Sequence, residues 1–299
     1  CRIPKAWRRP VLGVLPALAM LLGGAAAAVT VTTEVAASAA EAPSSRLKLH
    51  VPSPDWRDQV IYFLVTDRFD DGDPANNDQG AGEFDPSHAG KYSGGDLRGI
   101  ARRLDYIRKL GATAVWITPP VANQWWDPRH GSTGYHGYWA ENFMAVDRHL
   151  GTLGDYRRLS HQLHSRRMYL VQDIVLNHTG NFFSCNGDRD PSEPARHFTL
   201  NSEPGPGRLH APTQWPFGMN DARNPEHRKA DIYHWTPDIG DYTDRHQELN
   251  FQMSGLDDLN TENPLVRRAL RRSYAHWIRQ AGVDALRLDT AFYIPTDFL

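Results

Sequence analysis

The sequence predicts an α/β protein of the (β/α)8 TIM barrel class, with the first four strands of the barrel present. Two observations support this prediction. Short apolar runs alternate with amphipathic helical segments, and the apolar runs are nearly continuous, as in strands buried on both faces of a parallel sheet. A barrel needs eight such units over about 250 residues. An open doubly wound sheet is the alternative, but no glycine-rich dinucleotide-binding turn follows the first strand.

Four apolar segments are predicted as strands: residues 60–65, 113–118, 168–176 and 283–288. Three helices are predicted between them, each with recognisable end signals. The first has apolar residues at helical spacing over 96–110 and ends at Gly111. The second opens with a capping box at residues 152–155. The third runs from the Asn263-Pro264 cap to Gly282.

The other regions differ in composition from the alternating segments. Residues 1–39 have a basic head, an apolar run and an Ala-Ser-Ala site, which is the layout of a secretory signal peptide. A membrane anchor is the alternative, because the apolar run is near the lower limit for a span. Residues 40–56 form a polar, proline-rich lead-in. Residues 179–258 are too long for a loop, which predicts an inserted domain between barrel segments 57–178 and 259–299.

The composition indicates which partners are expected and in which cellular compartment the protein is expected. The chain has 299 residues and a formal net charge of −2. No basic patch stands out after residue 40, so we expect no nucleic-acid partner. Beyond the predicted signal peptide Cys185 is the only cysteine, so no internal disulfide is expected. We expect a secreted or periplasmic protein without a stable membrane anchor, and its oligomeric state is open.

Polar residues cluster where the predicted strands end, at Asn177-His178 and at Arg287 with Asp289. Active sites of β/α barrels lie at this face. Side chains alternate along a strand, so Arg287 and Asp289 share one face. A carboxylate beside a guanidinium stays ionised, which suits the nucleophile of a retaining glycosidase. From this motif alone, a structural ion pair at a strand end is an equal alternative.

Five stretches in order carry a family resemblance: residues 60–77, 135–139, 173–178, 256–260 and 285–289. Together they resemble the α-amylase superfamily of glycoside hydrolases, and their pattern is most like that of α-amylases and cyclodextrin glucanotransferases. The resemblance implies an enzyme that cleaves α-1,4-glucans such as starch with retention, and it implies that the inserted segment is domain B. A glucanotransferase is one alternative, and a non-catalytic carbohydrate-binding protein is another.

The resemblance also implies roles for individual residues. Asp289 is the nucleophile, and Arg287 keeps it ionised and oriented. Asp173 is expected to be structural and to pair with Arg287. Contacts with the sugar at the reacting position are expected from His136, Tyr138, Trp139 and His178.

Calcium is the expected cofactor. Closely spaced hard oxygen ligands on a loop suit Ca²⁺, although the same residues also favour turns. With the resemblance, the expected ligands of a first site are Asp71, Asp73, Asn76, Asn77, Gly94 and Asp96. A second site would use Asn177 and Asp258. A Lys-His pair that completes it in many relatives is replaced here by Phe292 and Tyr293, which leaves the exact specificity open.

Part of the family pattern is expected beyond Leu299. The family's general acid is a Glu at the end of the fifth strand, and a third carboxylate follows the seventh. One βα unit averages about 30 residues, so the acid should follow the printed segment. We therefore expect the 299-residue chain alone not to hydrolyse starch.

Overall fold

The computed structural model describes residues 48–127, 129–187, 190, 192–201 and 210–299. The predicted signal peptide, residues 1–39, and the first part of the lead-in lie outside the described residues. Within the described ranges, no helix combines the length and the apolar character that crossing a bilayer requires.

The fold is built around a four-stranded parallel sheet. In chain order the strands and long or short α-helices are β1 (Ile61–Leu64), α1 (Leu97–Lys109), β2 (Ala114–Ile117), β3 (Val121–Asn123), β4 (Ala140–Val146), α2 (Leu153–Ser165), β5 (Tyr169–Val175), β6 (Phe183–Cys185), β7 (Phe198–Leu200), α3 (Pro225–Ala230), α4 (Arg245–Asn250), α5 (Pro264–Ala281) and β8 (Ala285–Asp289). The sheet order is β1-β2-β5-β8, with every pair parallel. The four predicted strands are confirmed, and over the described residues they form a partial, open sheet.

The three long helices begin at the predicted signals, and α1 and α5 end next to the predicted glycines, Gly111 and Gly282. Asp96 caps α1 by accepting the backbone N–H of Gly99 at 2.6 Å. The predicted capping box opens α2 at Thr152. Asn263 caps α5 by accepting from the backbone at 2.8 Å, and Gly282 ends it with φ 75°. Each of these cap side chains accepts one of the free N–H groups at the start of its helix.

The apolar core lies between the sheet and the helices. Alternate strand residues point into it, including Leu64, Val115, Ile117, Leu170 and Ile174. Leu286 and Leu288 of β8 pack against the same core. Arg287 and Asp289 therefore occupy the opposite face, as the sequence predicts.

Residues 179–258 contain the β6–β7 hairpin and the short helices α3 and α4. The two ends of this segment lie side by side, since His178 and Asp258 form an antiparallel bridge. The fully buried carboxylate of Asp257 accepts the backbone N–H of Phe182 at 3.0 Å. The segment thus leaves and rejoins the sheet beside the carboxyl end of β5.

The antiparallel β3–β4 pair presents residues 135–139 next to the sheet. Gly137 in this stretch has φ 89°, and a Cβ there would lie 2.1 Å from the carbonyl oxygen of Pro119. Only glycine combines this backbone conformation with such a close approach. The turn brings the Tyr138 hydroxyl within 2.8 Å of Asp173 on β5.

Candidate active site

Arg287 connects two carboxylates at the carboxyl end of the sheet. Its Nη1 lies 2.7 Å from Asp289 Oδ1 and 3.1 Å from Asp173 Oδ1, so the predicted pair with Asp173 is confirmed. The Asp173 side chain is 0% exposed, whereas that of Asp289 is 25% exposed. One guanidinium therefore joins a buried anion to an anion that a ligand can reach.

Asp173 is held by two further donors. The Tyr138 hydroxyl donates to Asp173 Oδ2 at 2.8 Å, and the Trp116 indole N–H donates to the same oxygen at 3.0 Å. Burial raises the pKa of Asp173, and the bonds from Tyr138, Arg287 and Trp116 oppose that rise. No sequence motif signals Trp116, because its partner lies 57 residues along the chain.

Tyr138 is fixed in its protonated form. Burial and the charge of Asp173 raise the pKa of the Tyr138 hydroxyl, so it remains a donor at neutral pH. Its half-buried ring lies 5.7 Å from the His136 ring, with an interplanar angle of 24°. The stacked His136 ring therefore helps to hold the Tyr138 ring in its orientation.

His136 and His178 are neutral at physiological pH. Burial lowers the pKa of each to about 4, and the charge of Asp289 only partly opposes this for His178. Nδ1 of His136 accepts the backbone N–H of Tyr138 at 3.1 Å. That bond leaves the proton of the neutral ring on Nε2, where it can be donated.

His178 has an unsatisfied ring nitrogen. Its Nε2 is buried and has no hydrogen-bond partner among the described residues. Leaving such an atom unpaired is costly, so the position favours a ligand that supplies a hydroxyl. Trp139 is placed differently: it is 8% exposed, and its ring packs edge-on against His136 at 4.7 Å. Trp139 therefore packs against His136 and has little exposed ring surface for a sugar.

The loop before α1 gathers unpaired oxygens. Asp71 Oδ1, Asn76 Oδ1 and Asn77 Oδ1 are buried without hydrogen-bond partners among the described residues. Asn77 Nδ2 donates to Asp71 Oδ2 at 2.7 Å. A Cβ on Gly94 would lie 2.6 Å from the same amide nitrogen, so the Gly94 backbone packs directly against Asn77. Three unpaired hard oxygens beside a backbone segment match the ligand preference of Ca²⁺.

Asp73 and Asp96 have carboxylates that are already engaged. Asp96 Oδ2 accepts the backbone N–H of Asp73 at 2.7 Å, while Oδ1 caps α1. Asp73 pairs with Arg98 at 2.6 Å. No group of three His, Cys, Asp or Glu side chains is placed to hold a metal in the described ranges. The candidate site depends instead on amide and backbone oxygens around Asp71.

The second predicted ligand pair, Asn177 and Asp258, lies where the two ends of the 179–258 segment meet. Asp258 Oδ1 is buried without a partner among the described residues, and its Oδ2 lies 2.5 Å from His234 Nδ1. Glu262 lies 3.3 Å from the other nitrogen of His234. The backbone carbonyl of Asn177 accepts from the residue after Asp258 at 2.9 Å. Asn177 and Asp258 are therefore neighbours, and the sequence signals neither His234 nor Glu262.

Comparisons with known proteins show the family to which the chain belongs. Residues 63–297 match the family model of the alpha amylase catalytic domain. The chain is 36% identical over 249 residues to a beta/alpha-amylase of Paenibacillus polymyxa, covering 82% of this chain and 18% of that protein. It is 35% identical over 248 residues to a cyclomaltodextrin glucanotransferase of Klebsiella oxytoca, covering 82% and 34%.

A solved structure gives the same result. The α-amylase of Geobacillus thermoleovorans, crystallised with acarbose, matches with a TM-score of 0.57 and 33% identity, over 81% of this chain and 42% of that one. The chain thus spans between 18% and 42% of the length of these three proteins. With a family model that covers most of its length, the chain belongs to the α-amylase superfamily of glycoside hydrolases.

Proposed function

We propose that the protein containing this chain cleaves α-1,4-glucosidic bonds in starch and maltodextrins with retention, and that Asp289 is its nucleophile. The observation that carries the proposal is the Arg287 bridge from Asp289 to the buried Asp173. It joins a reachable carboxylate at the strand end to a buried one, beside two neutral histidines. A retaining glycosidase needs an anionic nucleophile in that position.

The reaction has two displacements. Asp289 attacks the anomeric carbon, an ester to the sugar forms, and the bond to the leaving oxygen breaks. That oxygen takes its proton from a second carboxyl group, which the family resemblance places on a later strand. Water then attacks the anomeric carbon and gives its proton to that second carboxylate, and the bond from the sugar to Asp289 breaks, which releases Asp289 as a carboxylate. Arg287 compensates the charge of Asp289 before and after each step, because its second bond to Asp173 keeps it in place.

The neutral histidines and Tyr138 bind the sugar. Nε2 of His136 donates to a sugar hydroxyl, and the unpaired Nε2 of His178 gains a hydroxyl partner. The Tyr138 ring packs on the sugar face, and the Trp139 ring packs edge-on against His136. Uncharged donors suit this task, because a sugar hydroxyl offers no charge to balance a buried imidazolium.

An Asp289→Asn variant of the complete protein tests the proposal. Activity on maltodextrin should fall more than about 10³-fold, as when other hydrolases lose a nucleophile. Asp105→Asn is the matched control, since Asp105 is exposed on α1 and pairs with Arg166. Unchanged activity in the Asp289 variant would exclude Asp289 as nucleophile. A wild-type protein without activity on α-glucans would exclude the function, and binding without turnover would then favour a non-catalytic carbohydrate-binding protein.

A glucanotransferase is the second candidate, because relatives of this chain include cyclomaltodextrin glucanotransferases. In a transferase a sugar hydroxyl replaces water in the second displacement. The two candidates share Asp289 and Arg287, so site variants do not separate them. Product analysis does: cyclic or elongated glucans indicate transfer, and short linear sugars indicate hydrolysis.

We also propose Ca²⁺ at the loop before α1. Asp71, Asn76 and Asn77 supply side-chain oxygens and Gly94 a carbonyl, while Asp73 and Asp96, whose carboxylates are engaged by Arg98 and by backbone N–H groups, shape the loop around them. The three buried unpaired oxygens support this assignment. A second ion would lie between Asn177 and Asp258, where Asp258 Oδ1 is also unpaired. Bound metal would fix the loop to α1 and thereby stabilise the folded protein.

The architecture of the complete protein and its export can also be inferred. We propose that the open sheet is the first half of an eight-stranded barrel and that residues 179–258 are its domain B. The parallel strand order and the return of the segment to its start support this. Export rests on the composition of residues 1–39. Amino-terminal sequencing of protein recovered from the culture medium or periplasm would test it, with a start near residue 40 expected.

A further inference from the structure

We propose that Trp116 is a positioning residue for this reaction: its indole holds Asp173 and Arg287 in the orientation that presents Arg287 to Asp289. The inference rests on the proposed function. Trp116 lies on β2, one strand away from Asp173 and two strands away from Asp289. Its indole N–H bonds to Asp173 and its ring lies beside Arg287 and Phe63, so we infer that it acts through these neighbours.

Trp116 contacts both members of the pair. Its Nε1–H donates to Asp173 Oδ2 at 3.0 Å. The guanidinium carbon of Arg287 lies 5.1 Å from the Trp116 ring centroid, within the range of a cation–π contact. The indole is therefore a hydrogen-bond donor for the anion and an aromatic surface for the cation.

The donor matters because Asp173 is fully buried. Its Oδ2 accepts from Trp116 and Tyr138, and Arg287 Nη1 lies 3.2 Å from the same oxygen. A buried carboxylate that loses a donor keeps the cost of its burial. Without the indole N–H, rotation of the Asp173 carboxylate is restrained by one bond fewer. Arg287 follows that carboxylate, and its 2.7 Å bond to Asp289 weakens.

Trp116 is itself held by the neighbouring strand. Phe63 of β1 stands opposite Trp116 in the parallel register. The two rings lie 4.3 Å apart with an interplanar angle of 47°. Contacts thus run without a break from β1 through Trp116 and Asp173 to Arg287 on β8. The nucleophile's orientation depends on the first strands of the sheet as well as on its own strand.

A Trp116→Phe variant of the complete protein tests this role, because it keeps an aromatic ring and removes the N–H. We expect kcat on maltodextrin to fall about 10-fold, the equivalent of one bond to a charged group, with little change in KM. The acidic limb of the kcat profile should move to higher pH, since burial raises the pKa of Asp173 and one opposing donor is gone.

Trp277→Phe is the matched control. Trp277 is fully buried in the core, and its Nε1–H donates to the carbonyl of Phe143 at 2.8 Å. It makes the same kind of bond without touching Asp173 or Arg287. We expect a lower melting temperature in this variant and an unchanged acidic limb. If both variants lose kcat equally and neither limb moves, Trp116 is structural and the inference is wrong.

A double-mutant cycle with Tyr138→Phe adds a second measurement. Both donors act on Asp173 Oδ2, so the two losses in kcat should be non-additive; additive losses would overturn the shared route. If Trp116→Phe does not fold, the indole N–H resonance of the wild-type protein decides the question. A resonance that titrates along the acidic limb supports the contact, and one that does not move overturns it. Failure of the proposed function would differ from both, since the wild-type protein would then be inactive.

Discussion

Arg287 and Asp173 lie directly opposite each other on β8 and β5, with Nη1 of Arg287 3.1 Å from Oδ1 of Asp173. The same nitrogen lies 2.7 Å from Asp289 Oδ1. Removing the cation would leave a fully buried carboxylate without a counter-charge, which is strongly destabilising. The position of the guanidinium is therefore set by the fold, before any sugar binds.

Replacing Arg287 by Lys should separate charge from geometry. Lysine keeps the charge but presents a compact ammonium in place of a planar fork. We expect one bond to a carboxylate to be lost and kcat to fall about 10- to 100-fold. Arg267→Lys is the control, because Arg267 pairs with the exposed Asp297 at 2.8 Å. Equal kcat in the two variants would show that charge alone is sufficient.

Calcium removal should destabilise the protein. A ligand that binds only the folded state raises its stability by mass action, so chelation should lower the melting temperature by about 5 °C. Asp71→Ala should abolish most of that shift. Asp78→Ala, an exposed position in the same loop, should keep it. A melting temperature that is the same with and without chelator would count against an important calcium site.

A buried charge cluster predicts a pH dependence of stability. His149 lies between Glu83 at 3.0 Å and Asp147 at 2.7 Å, and all three are almost fully buried. Burial lowers the pKa of His149, but the two carboxylates outweigh it and raise the pKa from 6.5 to about 9. Burial raises the pKa of Glu83, and bonds from His149 and the backbone reverse this and lower it from 4.5 to about 2.

The signs of these shifts define the pH window. The contribution of His149 is fully present below pH 6.5 and is lost as pH rises through about 9. The contribution of Glu83 is present above pH 4.5 and is lost as pH falls through about 2. The difference in melting temperature between wild type and His149→Gln should therefore shrink as pH rises through about 9. The exposed His161→Gln should show no such trend, and a constant difference for His149→Gln would contradict the charge assignment.

Gly137 should be essential for placing Tyr138. An alanine Cβ there would lie 2.1 Å from the Pro119 carbonyl oxygen, so the 135–139 stretch must move. We expect Gly137→Ala to lower both the melting temperature and kcat/KM for maltodextrin, the latter at least about 10-fold. Gly131 also has positive φ but open space around it, so Gly131→Ala should cost only the backbone strain, about 1 kcal/mol. Equal effects on kcat/KM would rule out the steric explanation.

Local signals predict the main elements of the fold. The strands of the sheet are continuous apolar runs, and Asp96, Thr152 and Asn263 mark helix starts that the structure confirms. The β3–β4 and β6–β7 pairs are not predicted, because they include strands of 3 residues that pair across long loops. The six-residue helix α3 has an Asn224-Pro225 cap like that of α5, but it is too short to show an apolar period.

In the candidate site, too, local sequence signals predict some residues, and contacts between distant residues are not predicted. Strand alternation places Arg287 and Asp289 on one face, and the sequence contains that information within three residues. The contacts of Asp173 depend instead on strand pairing, so the Trp116 bond across 57 residues could not be predicted. The partner of Asp258, His234, lies 24 residues away in a segment without periodicity. Sequence reasoning therefore locates the proposed reacting groups better than the residues that contact them.

The most direct test of the central claim is to trap the covalent intermediate. The complete protein would be treated with a fluorinated α-glucosyl fluoride, which slows hydrolysis of the glycosyl-enzyme, and then digested and mapped by mass spectrometry. Our account predicts one added sugar on the peptide that contains Asp289, attached as an ester. A sugar on any other carboxylate of an active protein would contradict the assignment of Asp289 as nucleophile.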